Sequence, residues 1–373
     1  MIRFLHASDL HLGKPFGTYP EDARASLRRA RLQSIPRLAE AARAGGAALI
    51  LLAGDTFDQM TPSPQVIRQA LNAMRQAADI TWLMLPGNHD NLGATELWRT
   101  LAADSAQNVR LVLEPAPLPL AEGATLLPAP CTERNPGRDL TEWYDTAATG
   151  ETLRIGLAHG AVRSFTTGED GASAIIPPDR AARSGLDYLA LGDWHGQMRI
   201  GPATWYSGAP EADGFRHEAR PGALLVEIAG PGAPARVTPV PTGSIDWVRR
   251  TLTLGTGVAP GPALDAVLPP FARRDATLFD LVVSGRAHAT DRVALERAIA
   301  AVRHDFLWHR ADLTGLGAVH DTADLDAIDA EGALRAAAEA LAAEASDMAL
   351  PGEARAAAGA ALSHLFTFAL EEQ

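Results

Sequence analysis

Ile2-Arg3-Phe4-Leu5-His6-Ala7-Ser8-Asp9-Leu10-His11-Leu12-Gly13 runs from a short, mostly apolar stretch straight into Asp, His and Gly. Such a run reads as a buried strand, and the polar cluster after it as the loop at the strand's carboxyl end. The same order returns along the chain: Leu51-Leu52-Ala53-Gly54-Asp55, Leu85-Pro86-Gly87-Asn88-His89-Asp90, Ile155-Gly156-Leu157-Ala158-His159-Gly160 and Leu189-Ala190-Leu191-Gly192-Asp193-Trp194-His195-Gly196. Between them lie Ala/Leu/Arg runs of helical period, at 22–44, 64–78 and 95–103. Strand and helix in alternation build a mostly parallel or mixed sheet with helices on its faces.

Working outward, strands are expected at 2–7, 48–53, 80–85, 109–113, 152–158 and 188–191, and closely spaced strands at 223–228 and 236–240 complete the sheet. The break at Pro239-Val240-Pro241-Thr242-Gly243 marks a domain boundary. The expected division is 1–242 for the main domain, 243–323 for a small α/β unit (strands at 247–254 and 276–284, a helix at 291–302) and 324–373 for a helical hairpin. The hairpin's helices, 327–345 and 353–370, meet at Leu350-Pro351-Gly352.

Composition narrows the chemistry. The 373 residues, 47% hydrophobic and 21% charged, are those of a globular chain of two or three domains, with no apolar run of the roughly 20 residues that span a bilayer. The start has no signal-peptide core, so a cytoplasmic location is expected. Cys131 is the only cysteine, which excludes an intramolecular disulfide and a thiolate metal cage. The formal charge of −12 argues against an unselective basic coat for nucleic acid, though not against a local basic patch.

The carboxyl ends of strands in such a sheet converge on one rim, where ligands bind. Asp9, His11, Asp55, Asn88, His159, Asp193 and His195 can therefore meet although they are spread along the chain. Imidazoles with carboxylate and amide oxygens suit Mn, Fe, Zn or Mg. A carboxylate such as Asp55 can bridge two ions about 3.5–4 Å apart, the arrangement that serves phosphate-ester hydrolysis.

These residues match a known pattern. Asp9-x-His11, Gly54-Asp55, Gly87-Asn88-His89-Asp90, His159 and Gly192-x-x-His195 resemble the calcineurin-like metallophosphoesterases. Within them, His6-Ala7-Ser8-Asp9-Leu10-His11-Leu12-Gly13 looks like the opening of the SbcD-type DNA repair exonucleases. The resemblance covers roughly the first 240 residues. It implies a two-sheet β-sandwich flanked by helices, followed by a small α/β domain that caps the site or guides DNA. One ion would be held by Asp9, His11, Asp55 and His195, and the other by Asp55, Asn88, His159 and Asp193. Manganese is the first choice, with Mg, Fe or Zn as alternatives. By the same resemblance His89 is the catalytic acid, oriented by Asp90. DNA is the substrate, and the tail docks the coiled coil of an SMC-like ATPase; a homodimer is a further possibility. The segment Trp205–Glu211 looks like the family's loop near the site. One position departs: the family has His-x-His where this chain has Asp193-Trp194-His195, which favours harder ions at the second position if Asp193 ligates.

Other residues have plainer readings. His6 is expected to pack and hydrogen-bond, Asp58 to serve a turn, and Asp213 and His217 to lie in a solvated loop. Arg24, Arg28, Arg29 and Arg31 on the first helix, with Arg163, Arg216 and Arg220, could steer a phosphate backbone, but charge on a helix is usually a solvated face. Trp194 either stacks a base or walls the site. Leu362, Leu365, Phe366 and Leu370 form an apolar stripe that packs on the preceding helix or on a partner. The same rim could serve a small phosphodiester, a nucleotide or a phosphoprotein, or persist in a catalytically weak scaffold.

Overall fold

The computed structural model describes residues 1–120, 123–162, 176–215, 220–319 and 332–371. Arg163, Arg216, His217 and the start of the first tail helix lie outside the described residues. The chain divides into two compact units, Met1–Ile245 and Asp246–Gln373.

The first unit holds two six-stranded mixed sheets. Sheet one contains β1 (Ile2–Ala7), β2 (Leu49–Leu52), β3 (Thr81–Met84) and β4 (Val109–Leu111), mutually parallel, with β11 (Gly222–Ile228) and β12 (Arg236–Pro241) added antiparallel beside β1. Sheet two runs β5 (Leu118–Pro119), β6 (Ala124–Ala129), β7 (Leu153–His159), β8 (Tyr188–Gly192), β10 (Thr204–Tyr206) and β9 (Met198–Arg199).

Facing sides of the two sheets share one core, with Phe4, Leu51, Leu83 and Val226 from the first and Leu126, Ile155, Leu157 and Tyr188 from the second. The outer side of sheet one is covered by α1 (Glu21–Ala44), α2 (Pro64–Gln76) and α3 (Thr95–Asp104) through Ile35, Leu38, Leu71, Met74 and Trp98. Short α4 (Arg180–Arg183) and Tyr144 cover the outer side of sheet two. The central strands are thus apolar on both faces, which is why they read as unbroken hydrophobic runs. Each fully buried Leu or Phe contributes about 1.5–3 kcal/mol to holding the layers together.

His6 lies between the sheets and not on the rim. Its Nδ1 is 3.0 Å from the Tyr188 hydroxyl and its Nε2 3.2 Å from the carbonyl of Leu191. Burial pushes its pKa down to about 3. Between pH 6.5 and 3 the unfolded chain therefore binds a proton that the folded chain does not, so stability is fully present above 6.5 and falls as pH drops below it. The slope reaches about 1.4 kcal/mol per pH unit. In the metal-stripped protein, urea midpoints at about pH 7.5, 6 and 5 should fall more steeply for wild type than for His6→Gln; parallel lines would contradict this origin.

The second unit has three parallel strands, β13 (Asp246–Leu254), β14 (Thr277–His288) and β15 (Trp308–Val319), joined through α5 (Pro260–Asp265) and α6 (Ala289–Val302). Buried Asp280 is clamped by Arg249 and Arg310 from its two neighbouring strands. The tail forms α7 (Ala333–Ser346) and α8 (Gly352–Glu371), with Leu362 buried against Ala338 and Leu365 packed beside them. Those two leucines of the expected stripe are therefore taken up within the hairpin. No helix among the described residues is long and apolar enough to cross a membrane.

Candidate metal centre

The loops after β1 and β2 are laced together: Asp9 N–H donates to Gly54 O, His11 N–H to Asp55 O and Leu12 N–H to Thr56 O, at 2.9–3.1 Å. This lacing aligns the Asp-x-His segment with Asp55. It is not an extension of the strand, because Asp9, His11 and Asp55 all have positive φ, at 56°, 43° and 53°. A left-handed loop, and not alternate positions of an extended strand, turns both inward. Asp193, on the loop after β8, is also strained at φ 102°. Such strain persists only where surrounding structure over-determines it, and here it gathers on one site.

Two glycines admit His159. A Cβ on Gly54, itself at φ 89°, would lie 2.3 Å from His159 Nδ1, and one on Gly192 would lie 2.0 Å from the carbonyl of Ala53. His159 Nδ1 sits 2.8 Å from that same carbonyl, which turns Nε2 toward the rim.

The functional atoms then converge. Asp55 Oδ2 lies 3.6 Å from His11 Nε2 and 3.5 Å from His159 Nε2, midway between two groups of donors. On one side His11 Nε2 is 3.9 Å from Asp9 Oδ1 and 3.2 Å from His195 Nε2, which is itself 3.8 Å from Asp9 Oδ1. On the other, Asp193 Oδ1 is 3.8 Å from His159 Nε2 and 3.4 Å from the Asn88 amide. Asp193 thus faces the second group.

This arrangement fits a pair of divalent ions. Among the described residues, buried His159 Nε2 and Asn88 Oδ1 have no hydrogen-bond partner, and no lysine or arginine pairs with the Asp9, Asp55 or Asp193 carboxylates. Asp9, His11 and His195 form one group able to hold a metal, Asp9, Asp55 and His159 another, and His11, Asp58 and His89 a third. Buried carboxylates matched only by imidazoles, beside a buried amide oxygen with no donor, are costly unless a cation meets them. Burial alone would raise the Asp55 pKa, but His159, His11 and His89 more than offset it and hold the carboxylate ionised. Cys131 takes no part: burial pushes its thiol up to about 12, and it donates weakly to the carbonyl of His159.

His89 stands at the mouth, half-buried, with its ring edge against His11 at 4.8 Å. Its backbone N–H donates to Asp55 Oδ1 at 2.9 Å, and its Nδ1 is 2.7 Å from the carbonyl of Asp58. Asp90 does not orient this ring. Its fully buried carboxylate accepts from the N–H groups of Phe57 (3.0 Å) and Gly87 (2.7 Å), bracing both loops. Burial and then repulsion from Asp55 raise its pKa to about 7.

Sequence reasoning passes over the outer ring. Asp58, expected to serve a turn, has Oδ1 3.2 Å from His11 Nδ1. Asp213, expected to be solvated, lies 3.0 Å from His195 Nδ1, 2.6 Å from Lys14 Nζ and 3.4 Å from Arg31. Burial would raise its pKa, but His195, Arg31 and Lys14 hold it well below the usual carboxylate range. Asp58 carries a signal, three residues after Asp55 in the same turn; Asp213 carries none, since only the folded loop brings it near. The expected loop at 205–211 does approach the site, through Ser207 Oγ, 2.8 Å from the Ser8 hydroxyl that donates to Asp9. Glu211 within it is structural, tying Arg37 to the backbone of Ser244 and Ile245.

Of the first-helix arginines expected to be solvated or to steer a phosphate backbone, Arg29 is exposed. Arg24 and Arg28 both pair with Glu21, and Arg31 is buried, donating to the carbonyls of Leu10 and Asp9. Trp194, beside His195, is 44% exposed.

The uncharacterized metallophosphoesterase YhaO of Bacillus subtilis (strain 168) is 27% identical over 254 residues, 61% of this chain and 57% of its own length. The chain thus spans little more than half of that curated relative. TT1561 of Thermus thermophilus is a solved structure with 11% identity and a TM-score of 0.40, covering 64% of this chain and 98% of its own. The sequence model of the calcineurin-like phosphoesterases matches residues 2–197, more than half of the chain and the stretch that carries every rim residue named above. By that match the chain belongs to the calcineurin-like phosphoesterase family.

Proposed function

We propose that the chain is a metal-dependent phosphodiesterase that hydrolyses DNA. The observation that carries phosphoester hydrolysis is the placement of Asp55 Oδ2 midway between His11 Nε2 and His159 Nε2, with donors on both sides. DNA as the substrate is supported by the resemblance of the segment from His6 to Gly13 to DNA repair exonucleases, and by the exposed Trp194 indole, a stacking surface at the rim.

Asp9, His11, Asp55 and His195 would hold one ion and Asp55, Asn88, His159 and Asp193 the other. Two divalent ions there supply Lewis-acid polarisation of the phosphoryl oxygens and acidify water. The protein's own part is orientation and proton transfer. Asp55 is fixed by the His89 N–H, and the two laced loops hold their carboxylates in place before substrate arrives. With Nδ1 on the Asp58 carbonyl, His89 keeps Nε2 for protonating the departing sugar oxygen.

A second reading, hydrolysis of a small phosphodiester, is favoured by the −12 charge and by the pairing of Arg24 and Arg28 with Glu21. End-labelled duplex and single-stranded DNA, beside bis(p-nitrophenyl) phosphate, in Mn²⁺ with and without EDTA, separates the two. DNA degradation that requires the metal is expected. Cleavage of the small diester with intact DNA would transfer the function to the second reading, and no cleavage of either would leave a scaffold.

A further inference from the structure

The far ring nitrogens of the three rim histidines meet different partners. His195 Nδ1 is 3.0 Å from the Asp213 carboxylate and His11 Nδ1 lies 3.2 Å from that of Asp58 without completing a hydrogen bond, whereas His159 Nδ1 faces the neutral carbonyl of Ala53 at 2.8 Å. A carboxylate behind a ligating imidazole fixes its tautomer and raises its basicity. The directly facing carboxylates do not create this difference: Asp9 and Asp55 reach both sides, and Asp193 is added on the side of His159.

The scaffolding is uneven in the same direction. Arg31, 1% exposed, reaches Asp213 with one guanidinium nitrogen (3.4 Å) and the carbonyls of Leu10 (2.7 Å) and Asp9 (3.3 Å) with another. Lys14 holds the same carboxylate from the loop after His11. His195 is thereby tied, through Asp213, to the backbone that carries Asp9 and His11. On the other side the Asp193 carboxylate accepts a hydrogen bond only from the Asn88 amide, at 3.4 Å, and no lysine or arginine among the described residues holds it.

We propose that the two ion subsites are unequal: the one built on His11 and His195, backed by Asp58 and Asp213, binds its ion more tightly and fills first, with Asp213 as the positioning residue for His195. The inference rests on the rim being a two-ion centre and is independent of DNA as the substrate. It also gives the subsites different tastes. The tight one offers two imidazoles, which suit Mn, Fe or Zn; the weak one is richer in oxygen, which suits Mn or Mg.

The test is calorimetric titration of Mn²⁺ into the metal-stripped full chain, with electron paramagnetic resonance at one and two equivalents. Wild type should show two binding events separated by at least about tenfold, and at one equivalent the spectrum of isolated ions, with spin-coupled pairs appearing only on the second. In Asp213→Asn the first event weakens by about 10–100-fold, the usual cost of losing an outer-shell partner. The second event stays within about threefold, and its survival shows that the variant is folded. Asp58→Asn reads the same subsite through His11, and Asp213→Glu should recover part of the loss. Two equal sites in wild type, or an Asp213→Asn protein that weakens both events alike or neither, would overturn the proposal. No Mn²⁺ binding at all would remove the two-ion reading with it, whereas two unequal events without DNA hydrolysis would remove only the DNA substrate.

Discussion

Asp55→Ala lowers phosphodiester hydrolysis by more than about 10³-fold, because losing a single preorganised electrostatic partner in an active site already costs about 10²–10³. Asp55 is worth more than one partner here, since its Oδ2 serves both donor groups and its Oδ1 accepts the His89 N–H. The alanine protein is also expected to lose the rise in melting temperature that Mn²⁺ gives wild type, as binding to the folded state alone must stabilise it. Initial rates and thermal melts with and without Mn²⁺ check both. An Asp55→Ala protein with near-normal rates would place the chemistry elsewhere.

The second large effect belongs to His89, and it has a different signature. His89 stands outside the two donor groups on either side of Asp55, although with His11 and Asp58 it forms a third cluster of ligand atoms; its ring edge lies against His11 with Nδ1 on the Asp58 carbonyl. His89→Ala should therefore keep the metal content of wild type while kcat on DNA falls by about 10²–10⁴, the range for losing a positioned proton donor. The loss should shrink on a p-nitrophenyl ester, whose departing oxygen leaves without a proton. Equal losses on both substrates would mean that His89 orders the Asp55 loop and donates nothing.

Much of this site is legible in the chain because parallel strands force it. The apolar runs ending at Ala7, Ala53, Leu85, Ala158 and Leu191 are buried on both faces, and each can only deliver its polar residues to the same edge. The conformation of those residues is not legible: Asp9 and His11 look like alternate positions of a strand, yet both adopt left-handed backbone because Asp9 N–H and His11 N–H pair with the loop after β2. β6 gives a weak signal since Pro128 interrupts an otherwise strand-like run, although it pairs in register with Leu157. β15, Trp308–Val319, is hidden among charged and glycine-rich residues that sit at one edge of the small sheet. Adjacency misleads at Asp90. A residue next to His89 in sequence points to the other side of the loop, where two backbone N–H groups take its carboxylate. Asp213 lies beyond any local signal, because Lys14, Arg31 and His195 reach it from three separate segments.

Metal content measured beside hydrolysis tests the central claim most directly. The chain is stripped with chelator, reloaded with Mn²⁺, freed of excess and analysed for metal per chain while phosphodiester cleavage is followed. The account predicts two ions per chain, cleavage that is absent in the stripped protein and returns as the second ion fills, and loss of both in Asp55→Ala. Cleavage that survives stripping, or full cleavage with a single ion bound, would contradict it.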